Sequence, residues 1–234
     1  NDWNSIFGGP AWTRITEPDG SPGEWYLHLF APEQPDFNWD NPLVCREFED
    51  VLHFWLDRGV DGIRIDSAAL LVKDATLADL GDDPGQLAQH PFIDLDGVHG
   101  VYRDWRRITE SYDGERILIG EVWLPDRERF TRYLRPDELH TAFNFDFLSC
   151  PWQADRVRAV IDATLADHAP VGAPPTWVLS NHDVVRHVTR YGRADTSFSM
   201  DDRRLGEPSD LALGTRRARA VAMVTMALPG AIYV

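Results

Sequence analysis

From residue 41 onward the hydrophobic positions follow two alternating rhythms, one returning every three or four residues and one nearly continuous over short runs. Val44, Phe48, Val51, Leu52, Trp55 and Leu56 keep the spacing of one helical face, with Asn41 and Pro42 in front as a side-chain cap and a first-turn proline. Gly59 supplies the stop. Asp61-Gly62-Ile63-Arg64-Ile65-Asp66 follows at once and reads as a buried strand ending in a carboxylate. Val101, Trp105, Ile108 and Tyr112 mark a second helix, and Arg116 to Val122 a second strand containing Glu121. A short helix over 126–134, a strand from Thr141 to Phe147 carrying Asn144 and Asp146, a helix from Ala154 to His168 and a strand from Thr176 to Ser180 continue the series. An Arg- and Asp-rich loop, a helix near Leu211 to Leu228 and a fifth strand over Ala231 to Val234 complete it.

Helices alternating with apolar strands across short links predict parallel β/α units. Right-handed crossovers then favour a sheet curling into a barrel over an open one. The expected fold class is therefore α/β, a partial (β/α)8 TIM barrel. Two stretches break the rhythm. Residues 1–40 are rich in Gly, Pro, Trp and Asp, with one short strand, Trp25 to Phe30, and read as a loop-rich subdomain apart from residues 41–234. Ser67 to Gly100 is polar, with Gly81-Asp82-Asp83-Pro84-Gly85 in its middle, and is long enough to be functional or disordered.

Composition narrows the partners. Of 234 residues 43% are hydrophobic, and nine Trp and eleven Phe are ample for a core. The net charge of −15 argues against nucleic acid and anionic membrane and is compatible with a neutral ligand. Cys45 and Cys150 form no CxxC pair, which predicts neither a disulfide framework nor a thiolate metal site and points to a cytoplasmic protein. No apolar run approaches the roughly 18 residues of a membrane span. The start at Asn1-Asp2-Trp3-Asn4, without a signal peptide or a Met, leads to the expectation of an excised piece of a longer chain.

The acids carry the chemistry. Side chains alternate along a strand, so Arg64 and Asp66 share one face while Ile63 and Ile65 pack outward. A guanidinium at that distance favours the ionised carboxylate wanted in a nucleophile. Taken alone, the six residues read equally as a structural ion pair closing a strand. Three acids at the ends of strands in one barrel-like series, Asp66, Glu121 and Asp183, with Arg64 and His182 beside them, tip the reading toward a site, because a β/α barrel assembles its site at the carboxyl ends of its strands. Glu121, flanked by Val122 and Trp123, is placed to stay protonated. An ionised acid and a neutral one about 5 to 5.5 Å apart describe a retaining glycosidase.

Here the residues carry a resemblance. Asp61 to Asp66 (DGIRID), Gly120 to Trp123 (GEVW) and Ser180 to Asp183 (SNHD) resemble the second, third and fourth short regions of the α-amylase family, glycoside hydrolase family 13. Gln34 to Trp39 (QPDFNW) is similar to its fifth region in the α-glucosidase and oligo-1,6-glucosidase branch. The resemblance implies a barrel running from strand four into strand eight, preceded by the tail of the subdomain inserted after strand three. It implies Asp66 as nucleophile, Glu121 as acid and base, and Asp183 as the second carboxylate on sugar hydroxyls. Arg64 would orient Asp66, and His182 and Arg186 would contact the glucose. The implied partner is a neutral α-glucoside oligosaccharide and the chemistry needs no cofactor; a structural calcium belongs to the family but is not readable in this stretch. Ser67, where the oligo-1,6-glucosidases resemble each other in having valine, leans toward α-1,4 links. Sucrose isomerisation and trehalose synthesis share the same covalent intermediate and stay open, as does a non-catalytic amylase-fold binding module, which the three retained acids oppose. Trp25, Trp39 and Trp123 are candidates for stacking on glucose, against the commoner role of large aromatics in a core. With five strands and two open edges, the chain alone is expected to be poorly soluble or partly unfolded, and inactive.

Overall fold

The computed structural model describes residues 1–82, 89–199 and 204–233. Asp83, Pro84, Gly85 and Val234, which entered the expectations above, lie outside the described residues. The amino-terminal part holds a hairpin in place of the single expected strand: β1 (Trp12–Thr16) pairs antiparallel with β2 (Pro22–Leu27), Trp12 opposite Leu27. The first strand gives no buried alternation in sequence because its inner half is only partly covered and its outer half is exposed. Beneath the hairpin Trp3, Ala11 and Leu29 pack on Phe92, joined by Leu70, Leu80 and Ile93. The long polar stretch is thus docked onto residues 1–30 through Leu70, Leu80, Phe92 and Ile93. Trp3 Nε1 donates to the Ala78 carbonyl at 2.8 Å, and the Asp2 carboxylate accepts from the backbone of Leu80 and Gly81 at 2.7 and 2.8 Å.

Helix α1 (Pro42–Leu56) begins as its sequence requires, the Asn41 side chain accepting from Leu43 N at 3.0 Å with Pro42 next in line. It is followed by a turn through Gly59, whose φ of +87° is the left-handed conformation open to glycine. Strand β3 (Gly62–Ile65) leads through the docked stretch to α2 (Val98–Glu110), whose Val98, Tyr102 and Trp105 are buried. Next come β4 (Ile117–Gly120), α3 (Arg127–Arg132) and β5 (Thr141–Asn144). The expected strand Thr141 to Phe147 stops early, because the Asn144 side chain turns back to accept from Phe147 N at 2.9 Å and starts α4 (Phe145–Ser149). Asp146 therefore lies on a helix. Helix α5 (Ala154–His168) and β6 (Thr176–Val178) match expectation, and the loop after β6 contains a helix that sequence did not suggest, α6 (His187–Tyr191), before α7 (Leu211–Ala227) and β7 (Ala231–Tyr233).

The five strands β3 to β7 lie side by side in chain order and all parallel, each separated by helix, which makes the sheet the partial (β/α)8 barrel expected. Ile65, Leu118 and Ala142 face outward onto Leu52, Leu56, Tyr102 and Trp105 of α1 and α2, and Trp177 packs outward with Phe147, Tyr191 and Val221. The opposite face carries Ile119, Phe143 and Val178, which meet Phe145 and Trp123 beyond the strand ends. Strands β3 and β7 form the two edges of the sheet.

Helices α6 and α7 cross at van der Waals distance. A methyl group on Gly214 would stand 2.0 Å from the Val188 carbonyl oxygen, and one on Gly192 would stand 2.4 Å from that of Asp210. Gly214→Ala is therefore expected to destabilise by about 1–3 kcal/mol, since backbone rather than a side-chain tip must move. The thermal midpoint should fall by roughly 2–4 °C for each kcal/mol, read by calorimetry, while the exposed Arg219→Ala serves as a silent control.

Candidate active site

Register brings the first two acids to one level. Arg64 pairs with Ile119 and Ile65 with Gly120, so Asp66 and Glu121 leave neighbouring strands together. Between them stands Arg64, donating from Nη1 to Asp66 Oδ1 at 2.5 Å and from Nη2 to Glu121 Oε2 at 2.6 Å. The arginine expected beside the nucleophile alone thus bridges both carboxyls and holds them side by side. Burial explains the closeness: the Glu121 side chain is 7% exposed, against 67% for Asp66, and turns to the partners within reach.

The turn after β3 is bent to serve this pair. Ser67 has φ 47°, a left-handed conformation that costs a non-glycine residue about 1–3 kcal/mol. In return its N–H points at Glu121 Oε2, 3.3 Å away, and its hydroxyl at Asp66 Oδ2, 3.4 Å away. Ala68 is gripped from both sides, donating from N to the Glu121 carbonyl at 2.9 Å and accepting the buried Tyr102 hydroxyl at 2.5 Å. A cleft of about 390 Å³ opens beside the turn, lined among others by Gln34, Asp36, Trp39, Arg64, Asp66 and Ser67, so the Gln34–Trp39 and Asp61–Asp66 stretches meet there. Asp36 itself is engaged, accepting from Leu29 N at 2.6 Å and pairing with Lys73.

Electrostatics separates the two acids. Partial burial works against ionisation of Asp66, but the hydrogen bond with Glu121, the Arg64 bond and charge and the Ser67 hydroxyl outweigh it and hold the carboxyl below its ordinary range. Burial first, then the hydrogen bond with Asp66 and its charge, push Glu121 above its ordinary range against the pull of the Ser67 N–H and Arg64. A proton taken up by the pair therefore goes to Glu121 before Asp66. The sequence assigned that neutrality to apolar flanks, whereas Trp123 presents a donor, its Nε1 lying 3.2 Å from Glu121 Oε1.

The remaining expected residues follow β6. Asp183 N donates to Asn181 Oδ1 at 3.0 Å, Asn181 Nδ2 donates back to Asp183 Oδ2 at 3.2 Å, and His182 Nε2 lies 3.4 Å from Asp183 Oδ1. Arg186 is exposed at the start of α6. Among the described residues no hydrogen bond or ion pair joins His182, Asp183 or Arg186 to the Arg64–Asp66–Glu121 group. Of the candidate aromatics, Trp39 packs on Phe48 and Trp105 in the core and Trp25 is exposed on the hairpin near Arg14. Sequence reasoning missed Tyr102 and the Ser67 N–H, since nothing local marks a helical tyrosine or a turn conformation as part of a site. Among the described residues no cluster of three or more His, Cys, Asp or Glu side chains is arranged to hold a metal, and no helix is long and apolar enough to cross a membrane.

Known proteins resemble this chain in sequence and in fold. The family model described as alpha amylase, catalytic domain, matches residues 1–205. An α-glucosidase of Culex pipiens is 33% identical over 210 residues, covering 82% of this chain and 35% of that protein. A trehalose-6-phosphate hydrolase of Escherichia coli K12 is 35% identical over 204 residues, covering 82% of this chain and 36% of that protein. The crystal structure of an α-glucosyl transfer enzyme, XgtA, superposes with a TM-score of 0.76 at 28% identity, over 99% of this chain and 42% of the other. The chain thus spans well under half the length of these relatives.

Two outcomes follow from the site. Tyr102→Phe leaves the buried Ala68 carbonyl without its donor and should destabilise by about 1–3 kcal/mol in chemical denaturation. The second concerns pH. Asp66, lowered on folding, adds stability above its unfolded range that is lost as pH falls through its folded midpoint; Glu121, raised on folding, adds stability that is complete at low pH and lost as pH rises through its folded midpoint. Thermal midpoints between about pH 3 and pH 8 should therefore show Asp66→Asn flattening the acid-side decline and Glu121→Gln flattening the decline toward neutral pH.

Proposed function

The chain belongs to the α-amylase family of glycoside hydrolases, in the company of α-glucosidases and oligo-1,6-glucosidases, and from that membership we propose that the protein carrying it is a retaining α-glucosidase acting on maltose-type or isomaltose-type oligosaccharides. The observation that carries the reading is the Arg64-bridged pair, in which burial raises Glu121 above its ordinary range while Asp66 is held below its own. Asp66, kept anionic and exposed, attacks the anomeric carbon while Glu121 gives its proton to the departing glycosidic oxygen. A β-glucosyl ester on Asp66 results. Glu121, now a carboxylate, takes a proton from water as the water oxygen displaces Asp66 and the second inversion restores the α-anomer. Arg64 orients both carboxyls, Asp183 and His182 hold sugar hydroxyls, and Arg186 contacts the same glucose.

Residues 1–40 are read as the end of the subdomain inserted after the third barrel strand, and 41–234 as strands four to eight. Ser67 leans the specificity toward α-1,4 links and the reduced cysteines favour a cytoplasmic location. A second reading is favoured by the likeness to a glucosyl transfer enzyme: a sugar hydroxyl rather than water captures the ester, giving transglycosylation through the same residues.

The tests use the full-length protein. Asp66→Asn should lower turnover of a nitrophenyl α-glucoside by roughly 10³-fold or more, and proton NMR of the first product should show the α-anomer. Release of the β-anomer, or an Asp66→Asn variant that keeps its activity, overturns the reading. Products from maltose, isomaltose and sucrose separate hydrolysis from transfer, and the 234-residue chain by itself should turn over none of them.

A further inference from the structure

Every oxygen of Glu121 faces an N–H donor. Oε2 accepts from Arg64 Nη2 at 2.6 Å and lies 3.3 Å from Ser67 N, whereas Oε1 accepts from Trp123 Nε1 alone, at 3.2 Å. Arg64 and Asp66 are the charged or titratable groups that act on it. A neutral carboxyl has one carbonyl-like oxygen with two acceptor positions and one hydroxyl oxygen that accepts more weakly and must also donate. The oxygen taking a guanidinium and an amide together is the carbonyl-like one, which leaves the hydroxyl to Oε1.

The indole is not free to follow. Its ring lies flat on Phe145, centroids 3.7 Å apart and planes 5° apart, with Phe198 stacked at 6.4 Å and 12°. That shelf is fixed from behind by Arg190, a buried cation that donates to the carbonyls of Leu148 and Cys150 at 2.5 and 2.8 Å and stands 5.9 Å from the Phe198 ring. Phe145 and Leu148 belong to one short helix, so the clamp on its end holds the ring at its start. The Nε1–H therefore meets Oε1 along a direction set by packing.

We infer that Trp123 is a positioning residue for Glu121: its indole N–H occupies one side of Oε1 and thereby dictates where the hydroxyl proton points. This inference rests on the reading of Glu121 as the acid, and it assigns Trp123 a polar duty where sequence suggested stacking on sugar. An N–H directed at a carboxyl favours the ionised form over the neutral one, because a hydrogen bond to a charged acceptor is the stronger. Trp123 thus makes Glu121 a more willing donor as well as a directed one.

The test follows a proton, so it stands or falls apart from any turnover measurement. In the full-length protein, with indole ¹⁵N and glutamate side-chain ¹³C labels, the Trp123 Nε1–H resonance should move with pH along the same midpoint as the Glu121 carboxyl carbon, and Glu121→Gln should abolish that movement. Trp123→Phe keeps a flat ring for Phe145 and removes the donor together with the rest of the indole; the Glu121 midpoint should then shift to higher pH. An indole resonance indifferent to Glu121, or a Glu121 midpoint unmoved by Trp123→Phe, overturns the inference. A glucosidase reading that failed would leave the coupled titration in place.

Discussion

One guanidinium organises this molecule's chemistry. Arg64 projects from the inner face of an edge strand and reaches two acids that leave adjacent strands at one level. Without a cation between them, the two acids would lose the partner they share, and ionising both would set two like charges side by side. With it, the pair settles into a divided state, an exposed anion and a covered acid. The parallel register makes this possible, because it delivers the last residue of each strand to the same end of the sheet.

Around the bridge, the supporting contacts come from distant parts of the chain. Ser67 accepts an unfavourable backbone conformation, and Ala68 is held by the Glu121 carbonyl on one side and by Tyr102 of α2 on the other. Trp123 is held by α4 and by the region after β6. Strain and aromatic packing are therefore part of the same arrangement, the first aiming an amide and the second aiming an indole. Neither contributes a reacting atom.

Much of this was legible before any coordinates. Asn41-Pro42 and Gly59 bound α1 because caps and left-handed turns are local chemistry, and Asp66 and Glu121 stood out because a charge closing an apolar run has few structural reasons. What escaped depends on contacts that no local pattern encodes. Asn144 reads as a strand residue until its side chain is seen capping α4, and Trp-Thr-Arg-Ile-Thr reads as a loop until Leu27 lies across from Trp12. The polar run after Ser67 looked long enough to wander, yet the partners of Leu80 and Phe92 are Asp2 and Trp3, nearly eighty or ninety residues earlier. The bridging role of Arg64 escaped for a related reason: alternation along one strand shows the nearer acid and not the one across the sheet.

That shared cation also changes how the two acids can be studied. Neutralise Asp66 and the anion that opposes ionisation of Glu121 is gone while Arg64 still faces it, so Glu121 gives up its proton more readily than it did in the intact pair. A chain stripped of its attacking group is consequently altered in its other acid too, and the two deletions cannot be summed as independent losses. Chemists who restore such an enzyme with a small external anion would be restoring the charge on the arginine as much as the missing attack.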